Sequence, residues 1–173
     1  MPSERYPGYD FRAVTRDDLP MLAGWLKEPH VAEWWGDPAA SLLEIEEAME
    51  DIATEPLIVE LDGEPIAYLQ SYDPHLEDDH PYQDQPTGTL GIDISIGRLD
   101  LVGKGHGSAI ILQFVAMLFE EGAPRIVIDP DPTNGRAIRA YEKAGFTAFG
   151  TRTSIYGPAL MMARDAPEET EQS

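Results

Sequence analysis

The chain has 173 residues, with 12 lysines and arginines against 32 aspartates and glutamates, a formal net charge of −20 at pH 7 and no cysteine. The length fits one domain with one core. The charge argues against nucleic-acid binding, because phosphates are bound by lysine and arginine. It favours cationic partners, although a solvated surface of a salt-adapted protein explains it equally well. Without cysteine there is no disulfide, thiolate metal site or cysteine nucleophile. No segment resembles a signal peptide or a membrane span, so we expect a cytoplasmic protein.

Hydrophobic periodicity predicts one α/β domain over residues 1–164 and an acidic tail over 165–173, which we expect to be disordered. Asp62-Gly63 is a hairpin signal between the second and third strands. The predicted strands are Phe11–Val14, Leu57–Leu61, Pro65–Tyr72, Thr89–Ile96, Arg125–Ile128, Phe146–Thr151 and Ala159–Ala163. The predicted helices run from Leu19 to near Pro29 and over Val31–Trp35, Leu42–Ala53, Ser108–Glu121 and Asn134–Ala144.

A glycine-rich turn, Val102-Gly103-Lys104-Gly105-His106-Gly107-Ser108, opens the fourth predicted helix. Glycines at alternate positions let the backbone approach a ligand closely with its N–H groups free. The positive end of the helix dipole adds to these donors, so the turn suits a pyrophosphate. Its spacing fits neither a nucleotide P-loop nor the dinucleotide motif G-x-G-x-x-G.

A second motif is the capped helix that begins at Asn134 and ends in Tyr141-Glu142-Lys143-Ala144-Gly145-Phe146. Together with the glycine turn, it resembles the acyl-CoA binding core of the GNAT N-acetyltransferases, and the order of elements agrees. The resemblance implies the GNAT fold, with one mixed, mostly antiparallel sheet flanked by helices and acetyl-CoA, as co-substrate, bound where two strands splay apart. The coenzyme contacts expected from it are Ile94, Ser95, Ile96, Val102, Gly103, Lys104, Gly105, His106, Gly107, Ser108, Asn134, Arg136, Ala137 and Tyr141. One departure is Val102, where family members often carry Gln or Arg, so that side-chain phosphate contact is lost while the backbone cradle is kept.

Acetyl transfer to an amine needs a base for the ammonium, donors that polarise the thioester and an acid for the leaving thiolate. Asp93 points to the opposite face of its strand from Ile92 and Ile94, and is our candidate base, acting directly or through a water. Tyr141 is the candidate acid, and backbone N–H groups from Ile94 to Ile96 are the candidate donors. A surface carboxylate and a core tyrosine are the structural alternatives.

Beyond this core, the chain from Phe11 to about Arg164 looks like the aminoglycoside 6′-N-acetyltransferases. The matching segments are Glu33-Trp34-Trp35-Gly36, Asp62-Gly63-Glu64-Pro65-Ile66, Tyr68-x-Gln70-Ser71-Tyr72, Gly91-Ile92-Asp93, Asp129-Pro130, Arg136-Ala137-Ile138 and Gly157-Pro158-Ala159. The resemblance implies acetyl transfer to the 6′ amine through an acidic, aromatic pocket. Aromatic rings cover ammonium groups and carboxylates pair with them. The residues expected to bind the acceptor are Trp34, Trp35, Tyr68, Gln70, Asp79, Asp93 and Asp129.

The loop over residues 73–87 offers several carboxylates and Tyr82, but none of the tryptophans that known resistance enzymes tend to carry there. His75 and His80 lie among these acids, and we predict no metal site, because such histidines are usually solvated. A GNAT enzyme that acylates a siderophore precursor, a polyamine or a protein N-terminus is the first alternative. A non-catalytic acyl-CoA-binding module is the second, which intact Asp93, Asn134 and Tyr141 argue against.

Overall fold

The computed structural model describes residues 8–76, 81–154 and 157–167. Its strands are β1 (Tyr9–Ala13), β2 (Thr54–Leu61), β3 (Glu64–Tyr72), β4 (Leu90–Ile96), β5 (Arg125–Ile128), β6 (Thr147–Ser154) and β7 (Gly157–Asp165). Its α-helices are α1 (Leu19–Lys27), α2 (Pro29–Trp35), α3 (Pro38–Ala48), α4 (His106–Glu120) and α5 (Gly135–Lys143). Among the described residues, no helix combines the length and the apolar character needed to cross a membrane.

The strands form one sheet in the order β1-β2-β3-β4-β5-β7-β6. Only β4 and β5 pair in parallel, and every other neighbouring pair is antiparallel. The sheet is therefore mixed and mostly antiparallel, as the GNAT resemblance implies. Asp62 and Gly63 connect β2 to β3 with φ values of 53° and 81°, the left-handed conformation that a two-residue hairpin turn requires.

Helices cover both faces of the sheet. On one face, α4 and α5 pack on inward-facing residues of β1 to β5, and this core includes Ile92, Phe114 and Tyr141. On the other face, α1, α2 and α3 pack on Ile58 and Tyr68. Because side chains alternate along a strand, β4 presents its isoleucines to the first face and Asp93 to the second, as predicted.

Several predicted boundaries are wrong. Strand β2 begins at Thr54 and not at Leu57, and β6 ends at Ser154 and not at Thr151. Helix α3 begins at Pro38, because Asp37 caps it by accepting a hydrogen bond from Ala40 N–H (2.9 Å), and it ends at Ala48. Helix α4 begins at His106, two residues before the predicted Ser108, directly after Gly105 with φ 88°. Strand β7 includes Asp165, the first residue of the predicted tail. The rest of the predicted tail, from residue 168, lies outside the described residues.

Candidate active site

The strands β4 and β5 diverge in the middle of the sheet. They pair only at Leu90–Ile126 and Gly91–Val127, although β4 continues to Ile96. Pairing between β3 and β4 stays regular over this whole length, without a bulge. The divergence therefore opens a gap beside residues 92–96, which is the splay that the family resemblance implies.

The hydrogen-bonding pattern of β4 decides which of its backbone N–H and C=O groups face this gap. Gly97 N–H donates to a carbonyl of β3 (2.9 Å), so alternation along the ladder turns the N–H and C=O groups of Ser95 toward β3 and those of Ile94 and Ile96 toward the gap. The prediction that the Ser95 N–H group helps to polarise the thioester is therefore not supported. His30 Nε2 donates to the Ile96 carbonyl (2.9 Å), which leaves the N–H groups of Ile94 and Ile96 as the donors at the gap.

The glycine turn lies at the end of the same strand. Gly103 and Gly105 have φ values of 79° and 88°, and a Cβ on either would enter open space. Gly107, in the first turn of α4, lies beside Ile96, where an added Cβ would be 3.9 Å from the isoleucine Cδ1. The turn, the helix N-terminus and the gap are thus continuous, and they fit the pyrophosphate and pantetheine arm of a coenzyme A thioester.

A hydrogen-bonded clamp ties β1 to the beginning of α4. The Tyr9 hydroxyl lies 2.7 Å from His106 Nδ1. The Gln113 side chain accepts from Tyr9 N–H (3.1 Å) and donates to its carbonyl (2.7 Å). The clamp fixes the first turn of α4, whose N–H groups form part of the cradle.

The other predicted coenzyme residues are spread around this cradle. Val102 is half-buried and Lys104 exposed, and Ser108 Oγ donates to the Gly105 carbonyl (3.3 Å). Arg136 is exposed at the beginning of α5. Ala137 N–H donates to Asn134 Oδ1 (3.2 Å), which confirms the helix cap.

Asp93 ends a hydrogen-bonded chain that crosses from β3 to β4. The Tyr68 hydroxyl donates to Gln70 Oε1 (2.6 Å), and Gln70 Nε2 donates to Asp93 Oδ2 (2.9 Å). The Trp35 ring makes an edge contact with Tyr68 at 5.8 Å. Burial raises the pKa of Asp93, the Gln70 hydrogen bond opposes this rise, and the nearby charge of Glu44 adds to it. This row of hydrogen bonds orients the Asp93 carboxylate and leaves its Oδ1 atom available to the acceptor substrate.

Asp129 forms the second half of a carboxylate pair. Burial, and then the charge of Asp93, raise the pKa of Asp129 to about 7, against a hydrogen bond from the Tyr82 hydroxyl and the positive charge of Arg152. Two carboxylates that interact this strongly titrate as a pair, and together they attract a cation. The structure therefore brings together four of the residues predicted to bind the acceptor substrate: Tyr68, Gln70, Asp93 and Asp129.

Tyr141 approaches this pair from the opposite side of the sheet. It lies on α5 and is 9% exposed. Burial, followed by the charges of Asp93 and Asp129, raises the pKa of its phenol. The phenol therefore keeps its proton at neutral pH, as a proton donor to a leaving thiolate requires, and the charges of both carboxylates act on it.

The structure connects the remaining predicted acceptor-binding residues and the loop histidines less directly to the carboxylate pair. Trp35 is half-buried, whereas Trp34 is 39% exposed on α2, and no described contact joins Trp34 to the carboxylate pair. Asp79 lies outside the described residues, as does His80. His75 Nε2 lies 3.0 Å from the Gln85 carbonyl and fixes the loop.

Sequence reasoning assigned no role at this site to three groups, although it noted Tyr82 in the loop over residues 73–87. The Tyr82 contact with Asp129 joins residues 47 positions apart, and Glu44 and Arg152 act on the pair from α3 and β6. Helical spacing marks Glu44 only as part of an acidic face. Arg152 lies one residue beyond the predicted strand Phe146–Thr151, so no strand pattern in the sequence placed its side chain; in the structure β6 continues to Ser154 and includes it.

The comparisons with known proteins agree with this geometry. The family model "Acetyltransferase (GNAT) domain" matches residues 14–153. The chain is 38% identical over 174 residues to an aminoglycoside N(6′)-acetyltransferase type 1 of Serratia marcescens, covering 93% of this chain and 86% of that protein. It is 30% identical over 166 residues to the lysine N-acyltransferase MbtK of Mycobacterium tuberculosis, covering 93% and 79%. The crystal structure of AAC(6′)-Ib with coenzyme A and kanamycin aligns with a TM-score of 0.82 at 36% identity, covering 91% of this chain and 95% of that chain.

The family match spans most of the chain, and the structure carries the splayed strands and glycine turn of an acyl-CoA site. The resemblance to aminoglycoside acetyltransferases found in the sequence is likewise confirmed. The chain belongs to the GNAT acetyltransferase family and is an N-acetyltransferase that uses acetyl-CoA as its co-substrate.

Proposed function

We propose that the enzyme transfers the acetyl group of acetyl-CoA to a primary amine of a polycationic small molecule, the 6′ amine of an aminoglycoside. The observation that carries this proposal is the Asp93–Asp129 pair, which lies among aromatic and amide side chains on the face of the sheet opposite α4 and α5. A carboxylate pair favours an acceptor with more than one ammonium group. The names of the similar aminoglycoside acetyltransferases support the same acceptor class.

The residues have distinct roles in the proposed reaction. Asp93 takes a proton from the acceptor ammonium, directly or through a water. The neutral amine attacks the thioester carbonyl, while Ile94 and Ile96 N–H groups stabilise the oxygen that becomes negative. The C–N bond forms, the C–S bond breaks, and the Tyr141 phenol protonates the leaving thiolate. The second proton of the attacking nitrogen returns to the Tyr141 oxygen, directly or through a water, and Asp93 releases its proton to solvent.

The electrostatics of the site suit these roles. A carboxylate with a raised pKa is a stronger base than an ordinary aspartate, and a phenol with a raised pKa holds its proton until the thiolate forms. Asp129, Gln70 and Tyr68 bind the remaining amines and hydroxyls of the acceptor, together with Trp34, Trp35 and Asp79. Because acetyl-CoA is an intracellular metabolite, we infer that the enzyme works in the cytoplasm.

The similarity to a lysine N-acyltransferase favours a second candidate, a lysine-derived amine of a siderophore precursor. Both candidates share the coenzyme site and differ only in the acceptor. An amino-acid acceptor brings a carboxylate, which is repelled by Asp93 and Asp129, so the described pocket suits it less well.

The test is the release of coenzyme A thiol from acetyl-CoA with four separate acceptors: kanamycin, its 6′-hydroxy counterpart, spermidine and N6-hydroxylysine. We expect turnover with kanamycin and none with the 6′-hydroxy compound, which would establish both the amine and the regiochemistry. Turnover with hydroxylysine or spermidine alone would contradict the aminoglycoside acceptor. Absence of turnover with any amine would support a binding module without catalysis.

A further inference from the structure

Arg152 is a cation held in a fixed position beside the acidic acceptor pocket. Its guanidinium carbon lies 5.2 Å from the centre of the Tyr82 ring. Its Nη2 atom donates to Asp84 Oδ2 (3.3 Å) and its Nε atom to Met161 Sδ (2.9 Å). The side chain is 28% exposed. These contacts with three residues hold the guanidinium in place.

This place is directly linked to Asp129. The ring under Arg152 belongs to Tyr82, the residue whose hydroxyl donates to the Asp129 carboxylate. The charge of Arg152 also stabilises the ionised form of Asp129, since it opposes the rise in the pKa of that carboxyl. One side of the carboxylate pair is therefore already partly neutralised before an acceptor arrives.

We propose that Arg152 is a specificity-determining residue that acts as a built-in cation on the Asp129 side of the pocket. It selects acceptors that present a hydroxyl there and selects against acceptors with an additional ammonium group. The physical reason is charge repulsion, which acts over several ångströms in a partly buried site and is only partly screened by salt. The inference rests on the proposed function, because it names the class of polycationic acceptor that the same pocket takes.

A purely structural role is the competing explanation, since Arg152 also holds the segment around Tyr82 and Asp84. Arg125 provides a matched control for that role. It lies 5.0 Å from the centre of the Phe149 ring, pairs with Asp165 (2.8 Å) and donates to Gln85 of the same loop (2.9 Å). Arg125 thus makes the same kinds of contact, but it does not contribute to the pKa shift of Asp129.

The test compares two acceptors that differ by one ammonium group, kanamycin A with a 2′ hydroxyl and kanamycin B with a 2′ amine. The measured quantity is the ratio of kcat/KM for kanamycin B to kcat/KM for kanamycin A. We expect Arg152→Gln to raise this ratio about fivefold, from the loss of one unit of repulsion at an intermediate effective dielectric. Arg152→Lys keeps the charge and is expected to keep the wild-type ratio, as is Arg125→Gln. Melting temperatures check that each variant is folded.

The inference is overturned if Arg152→Gln leaves this kcat/KM ratio within twofold of wild type. It is also overturned if Arg125→Gln changes the ratio equally. The proposed function fails separately, if wild type acetylates neither kanamycin. In that case the same ratio is measured with spermidine against a diamine of similar length, and an increase in Arg152→Gln alone supports the inference for that acceptor class. If neither pair is acetylated, both the proposed function and the inference are wrong.

Discussion

Asp93 differs from most carboxylates of this acidic chain in its surroundings. Most aspartates and glutamates are exposed, whereas Asp93 is half-buried on β4 with one oxygen bound by Gln70. Desolvation makes its charged form costly, so that it accepts a proton more readily than a surface carboxylate. The same residue type therefore carries charge at the surface and, in the proposed mechanism, takes up a proton in the pocket.

The first prediction concerns Asp93, the proposed proton acceptor. Asp93→Asn removes the basic oxygen but keeps an amide that can still pair with Gln70, so we expect kcat/KM for the acceptor to fall by about 10² to 10⁴. The affinity for acetyl-CoA, measured by equilibrium binding, should stay unchanged. Asp10→Asn on exposed β1 is the control. Full activity of Asp93→Asn would refute the base assignment.

The second prediction concerns Tyr141, the proposed proton donor. Tyr141→Phe keeps the buried ring in the core and removes only the hydroxyl, so we expect kcat to fall by about tenfold or more while the KM for acetyl-CoA changes little. Steady-state kinetics measure both constants. An equal loss of turnover and of acetyl-CoA binding would mean that Tyr141 only shapes the coenzyme site.

The third prediction links the carboxylate pair to stability. The pKa of Asp129 is about 7 in the folded protein and near 4 in the unfolded chain. A folded pKa above the unfolded value gives stability that is complete below about pH 4 and is lost as the pH rises through about 7. Asp129→Asn avoids this loss, so its melting temperature should exceed that of wild type at about pH 8, by an amount that shrinks toward about pH 4.

Asp131→Asn is the control for this pH dependence. The hydrogen bonds from Thr133 lower the pKa of Asp131, so removing its charge is expected to destabilise the protein above about pH 4. If the melting temperature of Asp129→Asn relative to wild type did not change with pH, the raised pKa of Asp129 would be wrong.

At the scale of elements, local patterns predicted strand faces better than helix ends. Alternation on β4 correctly placed Asp93 opposite the isoleucines, and Asp62-Gly63 correctly marked the hairpin. The beginning of α3 was missed because the prediction followed the apolar repeat, which starts at Leu42. The helix itself starts after its cap, Asp37. The Tyr82–Asp129 contact was not predictable, since it depends on how an irregular loop packs on β5 and β7.

The fourth prediction tests the close packing where β4 begins. A Cβ added to Gly91 would lie 2.1 Å from Cζ of Tyr72, on a buried ring next to the last β4–β5 pair. We expect Gly91→Ala to lower the free energy of unfolding by about 2–3 kcal/mol or more, through overpacking. Denaturant unfolding measures the change.

The control for Gly91 is a glycine in open space. Gly24 lies within α1, and an added Cβ would meet no atom within 4 Å. Gly24→Ala is therefore expected to stabilise the protein by up to about 1 kcal/mol, because alanine is the better helix former. If Gly91→Ala were as stable as Gly24→Ala, the strands would not be fixed at the beginning of the gap as described.

At the scale of the whole molecule, the fold joins motifs that lie far apart in the sequence. The glycine turn and α5 approach the gap from one face of the sheet, while Asp93 and Asp129 face the other. Motif recognition identified both halves, because each motif is local. Distances across the gap depend on the twist and divergence of β4 and β5, which a single sequence does not encode in any local pattern.

The net charge of −20 is a property of the whole molecule with two explanations: steering of cationic acceptors and adaptation of the surface to salt. If it steers polycationic acceptors, added salt should screen the attraction, because the Debye length shrinks from about 10 Å at 0.1 M to about 3 Å at 1 M. We expect kcat/KM for kanamycin to fall about tenfold over this range, and kcat/KM for the anion acetyl-CoA to rise or stay constant. Self-repulsion also predicts a melting temperature that rises with salt. A rise in melting temperature alone, with kcat/KM for kanamycin no more sensitive to salt than that for a monoamine, would assign the charge to salt adaptation of the surface and contradict steering.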